Sequence, residues 1–184
     1  MALVRRGLGR VALSEGRYSE AVTLFEQAAA SASGPDAAYH RLWALDGLEQ
    51  ARRAAGDLPG AIDAYRQAIA AAEDVRARFR SEEFKAGFFG AVQQVFDGAV
   101  AVLVEAKRTE DAFEISERSR SRALQDLLRG RVAMRAGSDV IAEPVGRAVS
   151  AAAVRSALAA GTALVEYHST SDRTYAWVIR RDGV

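Results

Sequence analysis

The chain has 184 residues, 49% of them hydrophobic, and a formal net charge of +1, which gives no reason to expect a nucleic acid or a membrane surface as a partner. It contains no cysteine, which excludes disulfides, thiolate metal sites and a thiol nucleophile. Every stretch of about twenty residues carries charge and no signal peptide is evident, so we expect a cytoplasmic protein, and the near absence of lysine beside abundant alanine suggests a bacterial source.

Two helical hairpins with matched sequences are predicted for the first 75 residues. Helices over residues 2–14 and 36–55 each precede a turn and a second helix. In both second helices, small, large and small residues recur at i, i+4 and i+7, which puts them on one face. The turn glycine and this face recur after 40 residues: Gly16 and Gly56, Ala21 and Ala61, Phe25 and Tyr65, Ala28 and Ala68. We expect these residues to pack neighbouring hairpins together, as in a helical repeat.

A third, longer hairpin is predicted to complete the helical domain over residues 1–130. One long helix is expected over residues 76–107, and a second helix begins near Thr109. Ala112 in this second helix follows Ala61 by 51 residues instead of 40, an excess of about three helical turns. We expect the three hairpins to stack side by side.

The second helix of the first hairpin resembles a tetratricopeptide repeat. Residues 16–28 contain the pattern G-x-Y-x-E-A-x-x-x-F-x-x-A, and the resemblance covers residues 2–75 well and residues 76–130 loosely. Glu49 and Arg52 stand where that family favours glycine and an aromatic residue. The resemblance implies a short helical solenoid that binds a protein or peptide partner in its groove.

A linker and the start of a second domain are predicted after the helices. Scattered glycine and proline indicate a linker over residues 131–149. A short helix from Ser150 to Ala160 is expected to end before Gly161, and two strands follow. One face of the second strand carries Tyr175, Trp177 and Ile179. Because two strands alone are marginally stable, we expect residues 150–184 to be an incomplete α/β domain.

The apolar face of this hairpin is predicted to be an interface. It either folds back onto the helices of the chain or pairs with the hairpin of a second copy to give a homodimer. We favour the homodimer, because folding back would leave both strand edges unpaired. The predicted fold is therefore mainly α, a tetratricopeptide-like solenoid with a C-terminal β-hairpin.

The order of elements after the repeats resembles the entry into a CHAT domain. The matching segments are residues 115–128, 161–167 and 172–183. That family joins tetratricopeptide repeats to a caspase-like cysteine peptidase, so the resemblance implies a longer parent protein whose catalytic histidine and cysteine lie downstream. No position here matches either residue. We therefore expect a truncated, catalytically inert scaffold whose partners include the missing remainder of that domain.

No catalytic, cofactor or metal site is predicted. His40 and His168 are the only histidines and belong to no metal-binding pattern. A serine–histidine–acid triad through His168 would lack the G-x-S-x-G turn. The glycine patterns that hold phosphates are also missing from the sequence.

A basic cluster supports an alternative function, a nucleic-acid-binding helical protein. It consists of Arg118, Arg120, Arg122, Arg129, Arg131 and Arg135. Such a cluster would contact phosphates. Acidic residues are interleaved at helical spacing, however, which predicts a salt-bridged, solvated helix. We therefore favour the protein-interaction module.

Overall fold

The computed structural model describes residues 1–78, 82–121 and 149–184. Within these ranges the chain is mainly helical and ends in a two-stranded antiparallel hairpin, which confirms the predicted fold class. The chain forms two compact units, Met1–Ala106 and Lys107–Val184. The predicted boundary at residue 130 and nearly all of the predicted linker lie outside the described residues, so the division into 1–130, 131–149 and 150–184 stays a prediction.

Five helices build the first unit. They are α1 (Ala2–Ser14), α2 (Tyr18–Ala30), α3 (Ala37–Ala54), α4 (Leu58–Arg78) and α5 (Glu82–Glu105). Helix α1 packs on α2 and α3 on α4, while α2 also packs on α3 and α4 on α5. The single helix predicted over residues 76–107 is wrong at its start: α4 continues to Arg78, because no glycine or proline interrupts residues 61–78.

The two predicted hairpins turn in the same way. Gly16 and Gly56 have φ angles of 75° and 81°, a left-handed conformation that favours glycine. In the first turn the Gly16 N–H donates to the carbonyl of Leu13 (3.1 Å) and the Arg17 N–H to that of Ala12 (2.8 Å). The second turn repeats both bonds at positions 56 and 57. Each turn is thus a Schellman motif that ends the first helix and reverses the chain.

The small–aromatic–small faces lie in the core of the first unit. Ala21, Phe25, Ala28, Ala61, Tyr65 and Ala68 are all buried. The Phe25 ring fits between glycines of two other helices. A Cβ atom added to Gly9 of α1 would lie 3.0 Å from the Cε1 atom of Phe25. A Cβ atom added to Gly47 of α3 would collide with the same ring, since three ring atoms would lie within 2.8 Å of it. Both positions therefore need glycine so that α1 and α3 can approach α2.

The second unit combines two helices and the hairpin. Helix α6 is described over residues 109–121, and it is followed by α7 (Ala151–Ala157), β1 (Leu164–Ser169) and β2 (Thr174–Ile179). The Ser150 Oγ atom caps α7 by accepting the N–H of Ala153 at 3.1 Å. The predicted end at Ala160 is wrong, because Leu158 adopts an extended conformation and ends the helix. Helices α5 and α6 belong to different units, so the third hairpin stays a prediction.

One face of the hairpin is covered by α6. Glu166 pairs with Trp177 and His168 with Tyr175 across the antiparallel strands. Trp177 and Ile179 are buried and Tyr175 is half-buried. The Trp177 ring meets Phe113 of α6 edge-on at 6.2 Å, and its Nε1 donates to the carbonyl of Thr109 at 3.2 Å. The face thus folds back within the unit, and a homodimer stays a prediction.

Candidate functional site

The first unit contains a cavity of about 620 Å³ that α1, α3 and α5 share. Helix α1 contributes basic side chains, α3 aromatic and polar ones, and α5 an amide. We call it the inner groove, and its principal residues are Arg6, Arg10, Tyr39, Trp43, Asp46 and Gln94.

Asp46 forms the polar centre of the inner groove. The Nε2 atoms of Gln50 and Gln94 both donate to its Oδ2 atom, each at 3.0 Å. Burial raises the pKa of Asp46 to about 6, although the two amides and the nearby Arg10 guanidinium favour its charged form. Because Gln94 belongs to α5, this carboxyl also ties α5 to α3.

Two donors in the inner groove lack an acceptor. The Nη1 atom of Arg6 and the Nε1 atom of Trp43 are shielded from solvent, and neither has a hydrogen-bond partner among the described residues. Two arginines elsewhere in the unit are paired: Arg52 reaches Glu26 at 2.6 Å, and Arg53 reaches Glu105 at 2.8 Å. A buried donor without an acceptor costs about 1–3 kcal/mol. A ligand that supplies acceptor oxygens would remove that cost.

Aromatic surface lies beside these donors. Tyr39 leaves 42% of its surface exposed, and its ring meets the Trp43 ring edge-on at 6.0 Å. Exposed aromatic rings in a cavity are the usual anchors of protein interfaces, because they bury much area and lose little conformational entropy.

A second carboxyl lies between α3 and α5 behind the groove. Glu49 is only 3% exposed, and its Oε1 atom has no hydrogen-bond partner among the described residues. Burial raises the pKa of Glu49 to about 7, with Arg53 opposing the shift and the carboxylates of Asp46 and Glu105 adding to it. The sequence marked Glu49 only as a departure from the repeat pattern, where a small residue is usual.

The second unit contains a buried polar network without catalytic geometry. The Ser116 Oγ atom lies 3.1 Å from His168 Nδ1 and 3.4 Å from Glu166 Oε1, and Arg120 pairs with Glu166. A catalytic triad needs the histidine between the serine and the acid. Here the serine lies between them and is fully buried, which makes the network a structural link between α6 and β1.

The other residues singled out in the sequence lie mostly outside the inner groove. Of the repeat-packing residues only Phe25 reaches the inner groove. In the basic cluster Arg120 pairs with Glu117 and Glu166, and Arg118 also has an interaction partner; the other cluster members lie outside the described residues. No three metal-ligating side chains converge in the described ranges. Arg6 and Trp43 were not predicted as site residues, because in the sequence they are an ordinary basic residue of α1 and an aromatic residue of α3.

None of the helices within the described ranges has both the length and the apolar character that a bilayer crossing requires.

Comparison with known proteins gives one match. The chain matches no curated protein and no solved structure. Residues 1–74, which contain α1 to α3 and most of α4, match the tetratricopeptide repeat family. By sequence and by helical fold, this part of the chain is therefore similar to tetratricopeptide repeats, which generally mediate protein–protein interaction and are typically not catalytic.

Proposed function

We propose that the first unit is a protein-interaction module that binds an extended acidic segment of a protein partner in the inner groove. The observation that carries the proposal is the pair of shielded donors, on Arg6 and Trp43, that have no acceptor among the described residues.

The groove chemistry suits a carboxylate beside an apolar side chain. Arg6 and Arg10 supply two positive charges against the single carboxyl of Asp46, and neither makes an ion pair within the described ranges. Hydrogen bonds between charged partners are roughly twice as strong as neutral ones. The Trp43 N–H would donate to a carbonyl of the bound segment, while the rings of Tyr39 and Trp43 pack against its apolar side chain.

A matched peptide library tests this proposal. We would measure fluorescence anisotropy with peptides whose central position is Glu, Gln or Lys and whose C-termini are amidated, so that only side-chain carboxylates differ. We expect the Glu peptides to bind best. Arg6→Ala, and Trp43→Phe, which keeps a ring but removes the N–H, should each weaken binding about tenfold or more.

The control is Arg66→Ala, since Arg66 lies outside the groove and pairs with Asp63 on the same helix. Equal binding of Glu and Lys peptides, or equal losses in the control variant, would refute an acidic ligand.

We also propose that residues 150–184 begin a CHAT-like domain of a longer peptidase and that the chain itself is inert. The support is the order of α6, α7 and the hairpin, with the strand carboxyl of Glu166 joined to Arg120 of the helix. The continuation of the reading frame in the source genome tests the parent, which requires a histidine and a cysteine after predicted strands. Peptide cleavage by pure protein that disappears in His168→Ala would overturn inertness.

Three further proposals concern the location of the protein, its self-association and nucleic-acid binding as an alternative function. We place the protein in the bacterial cytoplasm. We also propose that it forms a homodimer through the exposed strand edges of the hairpin, and light scattering would detect that dimer. Nucleic-acid binding has no supporting contact in the described ranges, where Arg120 is paired with two acids. Binding of an oligonucleotide whose affinity falls steeply as the salt concentration rises would support the nucleic-acid alternative.

A further inference from the structure

Helix α1 carries an apolar face that no described residue covers. Val4, Leu8 and Val11 leave 61%, 52% and 50% of their surfaces exposed, and their spacing puts them on one side of the helix. Gly7 lies among them, and a Cβ added there would meet no described atom within 4 Å. We call Val4, Gly7, Leu8 and Val11 the free face of α1.

The same face exists on α3, where it is covered. The repeat interval of 40 residues relates the free face to Ala44, Gly47, Leu48 and Ala51. All four are buried, and the ring of Phe25 from α2 fills the space over Gly47. On α3 this face is thus a docking surface for the second helix of the preceding hairpin.

Gly7 is the residue that this comparison explains. Glycine is disfavoured in the interior of a helix, and Gly47 is required because any side chain there would collide with Phe25. Gly7 has the same place in its hairpin, yet no ring among the described residues lies over it. The free face therefore has an open position, which we call the slot, where the equivalent face of α3 holds a ring.

We propose that the free face of α1 binds a helix of a partner protein that carries small, aromatic and small residues at i, i+4 and i+7, with the ring over Gly7. A second copy of this chain does not fit the slot well, because the ring-bearing faces of α2 and α4 are already buried, with Phe25 at 0% and Tyr65 at 4% exposure. The surface is separate from the inner groove, since none of its residues lines that cavity.

A helical peptide copied from α2 is a direct probe. It would contain the sequence of Tyr18–Ala30, a fluorescent label and a staple between positions 23 and 27, which are exposed in α2. We expect the full chain to bind this probe, as measured by fluorescence anisotropy. Replacing the probe phenylalanine by alanine should weaken binding at least tenfold.

Variants of the chain locate the binding site. Gly7→Leu fills the slot and should weaken probe binding at least tenfold, and Val4→Glu should do the same. Neither change should lower the melting temperature, because both side chains would project from the exposed face. Both variants should bind the acidic groove peptides as the parent does, so failure of this proposal is distinguishable from failure of the groove.

Three results would overturn the proposal. The first is no probe binding at micromolar concentration, and the second is binding that Gly7→Leu leaves unchanged. The third is a dimer in analytical ultracentrifugation that Gly7→Leu dissolves, since that would assign the face to a second copy.

Discussion

Different kinds of contact stabilise the interior of each of the two units. In the first, a buried apolar ring fits against glycines of neighbouring helices, as Phe25 of α2 does between Gly9 of α1 and Gly47 of α3. In the second, the helix and the hairpin meet through one aromatic pair and a buried polar network around Ser116.

This difference determines how each unit tolerates change. Close apolar packing depends on volume, so the first unit should fail where a side chain grows or a charge enters. A polar network depends on the pairing of each donor and acceptor, so the second unit should respond to the loss of a single oxygen atom. Substitutions in both units test that contrast, and a pH titration tests the two buried carboxyls that lie within the first unit.

The largest effect is expected from Ala21→Arg. Ala21 has no exposed surface, so arginine would bury a charge and overpack the contact between α2 and its neighbours. We expect a loss of more than about 4 kcal/mol, enough to unfold most of the first unit. Gln27→Arg on the exposed side of the same helix is the control. Urea denaturation that does not separate Ala21→Arg from the parent would show that this face does not hold the hairpins together.

The next effect is a dependence of stability on pH. The pKa values of Asp46 and Glu49 rise from 3.8 and 4.5 to about 6 and about 7 in the folded chain. The unfolded chain therefore releases these protons at lower pH than the folded one, and stability falls as pH increases from about 4 to 7. For Glu49 alone the loss is about 3 kcal/mol.

Urea titrations between pH 4.5 and pH 8 measure this loss. Glu49→Gln keeps the shape of the side chain without its charge, so it should remove a large part of the slope and be more stable than the parent at pH 8. A stability that is flat across this range in the parent would contradict the burial of the two carboxyls.

A pair of equivalent glycines should respond with opposite signs. Gly47→Ala places a methyl group against the Phe25 ring, which is fully buried and cannot move aside, so we expect a loss of about 1–3 kcal/mol. Gly7→Ala meets open space and removes a helix-breaking residue, so we expect a gain of up to about 1 kcal/mol. Thermal melts of both variants measure the difference, and changes of the same sign would contradict the contrast between a covered glycine on α3 and an open one on α1.

The smallest effect is expected from Ser116→Ala. The change removes the hydroxyl that contacts both Glu166 and His168 and leaves these buried groups less well paired, at a cost of about 1–2 kcal/mol. In a Trp43→Phe background, the fluorescence of Trp177 reports on the second unit alone. Ser156→Ala, which removes only a local bond to the carbonyl of Ala153, is the control. An equal loss in both variants would show that the network adds no stability.

The sequence was most informative where structure is local. The turn glycines and the small–aromatic–small spacing lie within one hairpin each, so the helix bounds of the first two hairpins were predicted within a few residues. A groove was expected from the resemblance, but its residues were not predicted, because Arg6 and Trp43 lie on different helices and only the packing of α1 on α3 brings them to one cavity. Folding back of the hairpin was only the less favoured of two predicted alternatives, and the helix that covers it was not identified, since Trp177 and Phe113 are distant in sequence.

The two Schellman turns make the 40-residue repeat a unit that a gene duplication could add as a whole. Gly16 and Gly56 end their helices with similar φ angles and the same pair of hydrogen bonds, and they are separated by one repeat of 40 residues. An in-frame duplication of that length would reproduce the turn, the ring and its glycine slot together. Such a duplication would lengthen the protein by one whole hairpin, and the added hairpin would carry the surface on which its neighbour packs.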